Sequence, residues 1–161
     1  MAQPDTSTSQ NSFRILVCDD DGASSRRLME FFKEKGFAVE LAPDGKVARD
    51  RIINWKPHFL IYDLTLAEFN APQMLTWLKD PSFQSDKPKV FVTSAHNVVA
   101  NIKDCIRLGA ADYIVKPYKV EDILTRVIFH IQNKREVGGG VQQNMKLEGR
   151  DLYLNLVDIV L

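Results

Sequence analysis

Cysteine is scarce in this chain. The two cysteines, Cys18 and Cys105, are too few and too isolated among 161 residues to frame a disulfide-stabilised fold. Both fall in apolar or helical surroundings and are expected to be reduced packing residues. An excess of charge is missing as well. Lys and Arg number 21 and Asp and Glu number 21, so neither a basic stripe for nucleic acid nor a polybasic membrane patch is supported. Apolar runs are short, as in Phe59-Leu60-Ile61-Tyr62, and nothing approaches the roughly 20 residues that span a bilayer. The opening MAQPDTSTSQNS has neither the basic residues nor the apolar stretch of a secretory signal. A cytoplasmic protein is therefore expected, with no membrane and no nucleic acid among its partners. His58, His96 and His130 show no metal-ligand spacing. What remains, 45% hydrophobic and 26% charged, suits one globular domain with a short remainder.

Residues 1–12 are mostly Ser, Thr, Gln, Asn and Pro, and burial there could not offset the entropy of ordering, so a disordered tail is expected. Over 13–135, β-branched runs alternate with helical periodicity, the pattern of βα units building a parallel sheet. Five strands are expected, at Arg14–Cys18, Ala38–Leu41, Phe59–Tyr62, Val90–Thr93 and Tyr113–Val115. The first helix spans Ser24–Lys35 and closes at Gly36, and the second is capped by Asp44 and runs through Val47, Ala48 and Ile52. The third opens at Asn70 or Ala71, has Pro72 in its first turn and buries Leu75 and Leu78. A fourth lies near Val98–Leu108, ended by Gly109, and a fifth runs from Val120 to about Lys134. Gly138-Gly139-Gly140 and the Gln and Asn after it read as a flexible linker over 136–146. Residues 147–161 are densely apolar; Tyr153, Leu156, Val157 and Val160 fit a helical face, while Leu152, Leu154 and Leu156 equally fit a strand. That tail is expected to be a homodimerisation segment or the start of a truncated output domain.

The polar chemistry collects at the strand ends, where open parallel sheets bind ligands. The first strand runs into Asp19-Asp20-Asp21, the third into Asp63, the fourth into Thr93-Ser94 and the fifth into Lys116-Pro117. Singly, each has an ordinary explanation as a helix cap or a turn residue. Together on one rim they define a site. Converging carboxylates need a shared proton or a hard cation, and oxygen donors without a His or Cys cluster favour magnesium over zinc. Such an ion keeps positions open for phosphate oxygens, with a lysine to neutralise them and a hydroxyl to donate to them. A carboxylate can itself be the nucleophile, and Asp63, alone at the end of the most apolar strand, is the candidate.

The stretches ILVCDDDG, LIYDLTL, VFVTSAHN and GAADYIVKPY resemble the receiver domain of bacterial two-component response regulators. The resemblance covers residues 14 to 132. It implies a doubly wound, flavodoxin-like (βα)5 fold of strand order 2-1-3-4-5. It further implies that Asp19 and Asp20 are the acidic pair for magnesium, with Asp63 and the backbone carbonyl of Thr65 as further ligands. Asp63 would accept a phosphoryl group from a histidine kinase or phosphotransfer protein. Lys116 would be the phosphate-binding lysine, in a cis bond to Pro117, and Ser94 the switch hydroxyl. Tyr113 would be the switch aromatic, turning inward once Ser94 engages the phosphoryl group and changing the surface of the fourth helix, fifth strand and fifth helix. Thr65 and His96 would border the path of attacking water. The chain departs from the family's Leu-Pro-Gly-Met-Asp-Gly loop, reading Leu66-Ala67-Glu68-Phe69-Asn70-Ala71 instead. Losing the Pro and both Gly changes the backbone conformations open to a loop beside the site.

The function implied is a phosphorylation-controlled switch that assists its own phosphotransfer, acts on a downstream output domain or protein, and is not an enzyme in its own right. The alternative is a phosphorylation-independent binding module of receiver fold, which would be expected to lack an acid or the lysine. A haloacid-dehalogenase-like phosphatase would need a second acid two residues after Asp63, where Thr65 stands. The residues after the fifth helix are too few for a helix-turn-helix unit with its own core.

Overall fold

Side chains alternate across a strand, so a strand apolar at every position must be covered on both faces. Phe59-Leu60-Ile61-Tyr62 is such a strand, and all four residues are buried. The computed structural model of the chain describes residues 12–83 and 87–139, the last six as backbone alone. Five strands, β1 (Arg14–Cys18), β2 (Ala38–Ala42), β3 (Phe59–Asp63), β4 (Lys89–Ser94) and β5 (Asp112–Val115), alternate with five helices. These are α1 (Gly22–Glu34), α2 (Gly45–Asn54), α3 (Ala71–Trp77), α4 (Val99–Arg107) and α5 (Val120–Gly139). The strands pair in parallel in the order β2-β1-β3-β4-β5, the expected flavodoxin-like arrangement.

The register defines what each face buries. Cys18 pairs with Tyr62, Tyr62 with Val92 and Val92 with Tyr113, one row across four strands. That row and the neighbouring Leu16, Leu60 and Val90 join Ala48 and Ile52 of α2, Met74 and Leu75 of α3 and Cys105 of α4 in one core. The alternate positions Ile15, Val17, Phe59, Ile61 and Phe91 are buried on the other face, where the Phe59 and Phe91 rings stack at 6.0 Å. Helix α1 packs on β1 and β2, burying Leu28 and Phe32, and the Phe32 ring meets Phe37 edge-on at 5.4 Å. Both cysteines are free and buried, and burial pushes the Cys18 thiol well up, with the charge of Asp19 adding to the effect.

The caps explain where the helices begin. Asp21 accepts the backbone N–H of Ala23 and Ser24, so α1 starts at Gly22, two residues before the sequence pattern placed it. Asp44 accepts from Val47, and Asn70 forms a capping box with Gln73, with Pro72 in the first turn. Gly36 and Gly109 take φ of 91° and 108°, the left-handed closures expected of them.

The chain divides into two compact units at Pro117 and Tyr118. The first holds the sheet and α1 to α4. In the second, α5 buries Ile123, Leu124, Val127, Ile128 and Ile131, one helical stripe. Its backbone stays helical to Gly139, so residues 136–139 belong to the helix and not to the expected linker. No Gly or Pro interrupts Gln132 to Val137, and hydrogen bonding propagates until the glycines. The rest of that linker, residues 1–11 of the expected N-terminal tail and the apolar segment 147–161 lie outside the described residues. No helix among the described residues is long and apolar enough to cross a membrane.

Truncating Phe32, which is 0% exposed, should cost about 3–5 kcal/mol in Phe32→Ala. Ile53→Ala, at 53% exposure, should cost less than about 0.5 kcal/mol. Urea denaturation of both variants checks the contrast.

Candidate functional site

Parallel register carries the ends of β1, β3 and β5 to one rim. After β1, the chain is tied to β2 by the Asp19 N–H on the Ala42 carbonyl at 3.2 Å, and after β3 the Leu64 N–H reaches the Thr93 carbonyl at 2.9 Å. After β5, the Lys116 N–H donates to the Ser94 carbonyl at 2.8 Å, and the Lys116–Pro117 bond is cis, as expected. These main-chain ties aim three side chains at one point. Lys116 Nζ donates to Asp19 Oδ2 at 2.9 Å and to Asp63 Oδ2 at 3.3 Å.

The remaining oxygens are held locally. Asp19 Oδ1 accepts the Asp21 N–H at 2.9 Å, and Asp63 Oδ1 accepts the Thr65 N–H at 3.2 Å and its hydroxyl at 3.5 Å. Asp19 is buried at 6% exposure, while Asp20 is exposed. Carboxylate oxygens of Asp19, Asp20 and Asp63 lie within 4.8 Å of one another. The run of three acids after β1 therefore divides: Asp19 and Asp20 face the site, and Asp21 caps α1. The Ser24 backbone and side-chain hydrogen bonds hold the Asp21 carboxyl below the usual range against desolvation, with Ala23 and Lys116 helping.

Two like charges about 4–5 Å apart repel by roughly 3–4 kcal/mol at an effective dielectric near 20. Lys116 supplies one positive charge against three carboxylates. The donor set is all oxygen, partly exposed and net negative, which fits a hard divalent cation.

Ser94 ends β4 and is 2% exposed. Its Oγ accepts the His96 N–H at 3.0 Å, which occupies a lone pair and leaves the hydroxyl proton for another acceptor. Tyr113, expected to turn inward only on activation, is already 8% exposed, because its hydroxyl finds the His96 carbonyl at 2.8 Å. Ser94 and Tyr113 are thus joined through the main chain of His96. The His96 side chain itself is exposed, and the residue's contacts to Ser94 and Tyr113 run through its backbone.

Sequence reasoning missed what holds the loop between β3 and α3. Tyr62 is fully buried, and its hydroxyl donates to the Phe69 carbonyl. Burial drives the Tyr62 phenol well above its usual range, so it stays a donor. The Gly45 N–H donates to the Ala67 carbonyl at 2.9 Å, and a Cβ at Gly45 would stand 2.1 Å from Phe69 Cβ. Arg49 sits over the Phe69 ring at 4.6 Å. Asp44-Gly45 reads simply as a helix start, and no sequence signal shows that its glycine makes room for a distant loop. Glu68, where the family pattern places its first Gly, takes φ 69°.

A five-stranded parallel sheet in this order, with acids and a lysine converging at its strand ends, is a doubly wound, flavodoxin-like fold. Residues 15–128 match the response regulator receiver domain, and the chain belongs to that family. Among curated relatives, the response regulator MprA of Mycobacterium bovis (strain BCG / Pasteur 1173P2) is 33% identical over 116 residues, 72% of this chain and 49% of the relative. The chain thus spans about half the length of the relatives it matches. Among solved structures, the signal receiver domain of a response regulator from Bermanella marisrubri is 26% identical with a TM-score of 0.68, covering 75% of this chain and 99% of that one. The receiver domain of the Francisella response regulator 1452 is 26% identical with a TM-score of 0.67, covering 77% and 98%.

Burial lowers the Lys116 pKa, but the hydrogen bond and charge of Asp19, with Asp63 adding, outweigh it and leave it raised. A raised lysine contributes stability that is present below its unfolded pKa and lost as pH rises through the folded one. In metal-free protein, the stability difference between the unaltered chain and Lys116→Met should hold near neutrality and shrink above about pH 10.5, the ordinary lysine value. Denaturation across pH 8 to about 11.5 reads it; a difference independent of pH would contradict the charge coupling.

Proposed function

We propose that this receiver is a phosphorylation-controlled switch: Asp63 accepts a phosphoryl group from the phosphohistidine of a kinase or phosphotransfer protein, with magnesium bound among Asp19, Asp20, Asp63 and the Thr65 carbonyl. The observation that carries the reading is the convergence of three carboxylates within 4.8 Å, two of them bridged by Lys116. As an Asp63 carboxylate oxygen forms its bond to phosphorus, the P–N bond of the donor breaks and the imidazole keeps the electron pair. Asp19, Asp20, Asp63 and the Thr65 carbonyl would hold the magnesium, which would supply positive charge to offset the carboxylates and the incoming phosphoryl group. Lys116 lies close enough to Asp63 to turn its ammonium onto the new phosphoryl oxygens, and the Ser94 hydroxyl donates to another. The domain assists its own phosphorylation and does not turn over a substrate as an enzyme does.

The switch follows from the hydrogen-bond chain. Drawing Ser94 Oγ toward the phosphoryl group pulls the His96 amide, and the Tyr113 hydroxyl follows the His96 carbonyl. The segment between β4 and α4 then moves as one body. Val98 and Val99 at the start of α4 are 52% and 62% exposed, an apolar surface for a downstream output to read. A phosphorylation-bound population shift needs such a differential contact, and the Ser94 bond supplies it.

With magnesium and a small phosphodonor, mass spectrometry should find one phosphoryl group on the chain and none on Asp63→Asn. Undiminished labelling of that variant would assign the chemistry to another residue. In a magnesium titration, Asp20→Ala should weaken binding about tenfold or more, as loss of a charged ligand would. Lys116→Ala should bind magnesium nearly as well as the unaltered chain and be phosphorylated more slowly. Equal loss of metal affinity in both variants would contradict the division of roles.

A further inference from the structure

The loop from Leu64 to Asn70 joins the phosphoacceptor strand to α3, and it departs from the family at the positions that would make its backbone easy to bend. Glu68 stands in the left-handed region at φ 69°, which costs a residue with a Cβ about 1–2 kcal/mol relative to glycine. Something must hold the loop against that cost. Its own closure is the Ala71 N–H on the Leu64 carbonyl at 3.1 Å and the Leu66 N–H on the Asp63 carbonyl at 3.2 Å. Three further restraints come from outside it. Tyr62 reaches from the strand to the Phe69 carbonyl, Gly45 takes the Ala67 carbonyl from the start of α2, and Arg49 covers the Phe69 ring. The contact at Gly45 leaves no room for a Cβ, since it would stand 2.7 Å from Phe69 N and 2.9 Å from Phe69 Cα.

Tyr62 is adjacent to Asp63 in the strand, and alternation turns its side chain into the core on the α2–α3 face. One residue thus links the phosphoacceptor strand to the far end of the loop that begins at Asp63. The stretch between them contains Thr65, whose N–H and hydroxyl both rest on Asp63 Oδ1. If Phe69 is released, the left-handed turn at Glu68 is free to relax, and Thr65 loses its register with Asp63.

We propose that Tyr62 is a positioning residue: through its hydroxyl on the Phe69 carbonyl, it clamps a loop that lacks the glycine its backbone conformation favours, keeping Thr65 beside Asp63 in the geometry that receives the cation. The cation part rests on the function proposed above; the clamp itself does not. Gly45 is its counterpart on α2, admitting the loop by having no side chain.

Tyr62→Phe keeps the ring and removes the one bond. In metal-free protein, hydrogen exchange at the amides of residues 65–69 should quicken by about twofold to tenfold, the worth of one buried hydrogen bond. Exchange in β1 and β4 should change less. Magnesium affinity by calorimetry should fall over a similar range. Adding Glu68→Gly to Tyr62→Phe should restore both, because glycine removes the cost that the clamp opposes; a tyrosine that merely filled the core would give no such rescue. Unchanged loop exchange in Tyr62→Phe would overturn the clamp, and unchanged magnesium affinity with faster exchange would overturn its positioning role. Should the unaltered chain bind no magnesium, the cation-site reading and with it the positioning role would fall, while loop exchange would still decide the clamp.

Discussion

The ammonium of Lys116 sits between carboxylates from two strands, 2.9 Å from Asp19 and 3.3 Å from Asp63, and the rest of the site is arranged around that contact. Asp19, Asp63 and Lys116 are 44, 53 and 97 positions apart in their pairwise separations, and they meet because the parallel sheet folds them together. One cation among three acids leaves the rim electrostatically incomplete. Three carboxylates whose oxygens lie within 4.8 Å of one another, with one lysine between two of them, form an oxygen donor set that a hard cation fits.

Around this centre the protein uses main-chain hydrogen bonds where flexible side chains would be less exact. The Lys116 amide is tied to Ser94, the Leu64 amide to Thr93 and the Asp19 amide to Ala42. Preorganisation of this sort reduces the motion needed when charge develops. The loops that lead away from the rim are held in two different ways. After β4, a single residue, His96, links Ser94 and Tyr113 through its backbone N–H and carbonyl, a connection with little slack. After β3, the loop is held from its flanks by Tyr62, Gly45 and Arg49, which together offset an unfavourable backbone conformation at Glu68. The first loop is tied through the main chain of one residue, the second through side chains of the neighbouring elements.

Much of this architecture was legible in the residues themselves. Alternating apolar runs and helical stripes placed all five βα units, and the glycines at 36 and 109 marked helix ends that take positive φ in the structure. Both are local effects, written into side-chain size and period over a few residues. Boundaries shifted where a hydrogen bond decided them: Asp21 caps α1 two residues early, and α5 runs on to Gly139 because nothing before it breaks the helix. The acids, hydroxyl and lysine of the rim were legible for the same reason, since each follows a strand end and the strand ends of a parallel sheet lie together.

Tertiary structure alone decided how those groups are shared. Three consecutive aspartates look alike in sequence, yet two face the rim and the third caps a helix, because the turn after β1 gives each a different direction. Tyr113 is inside already because a carbonyl 17 residues away in sequence is within reach of its hydroxyl. The opening of the second helix at Asp44-Gly45 could be read as a cap, but that the glycine leaves space for Phe69 depends on a loop more than a helix and a strand further along the chain. Sequence by itself determined the elements and the chemical inventory of this receiver, since periodicity and residue type act over short range. The partners of each polar group, and the restraint on the loop beside Asp63, were settled only when packing brought distant segments within hydrogen-bond distance.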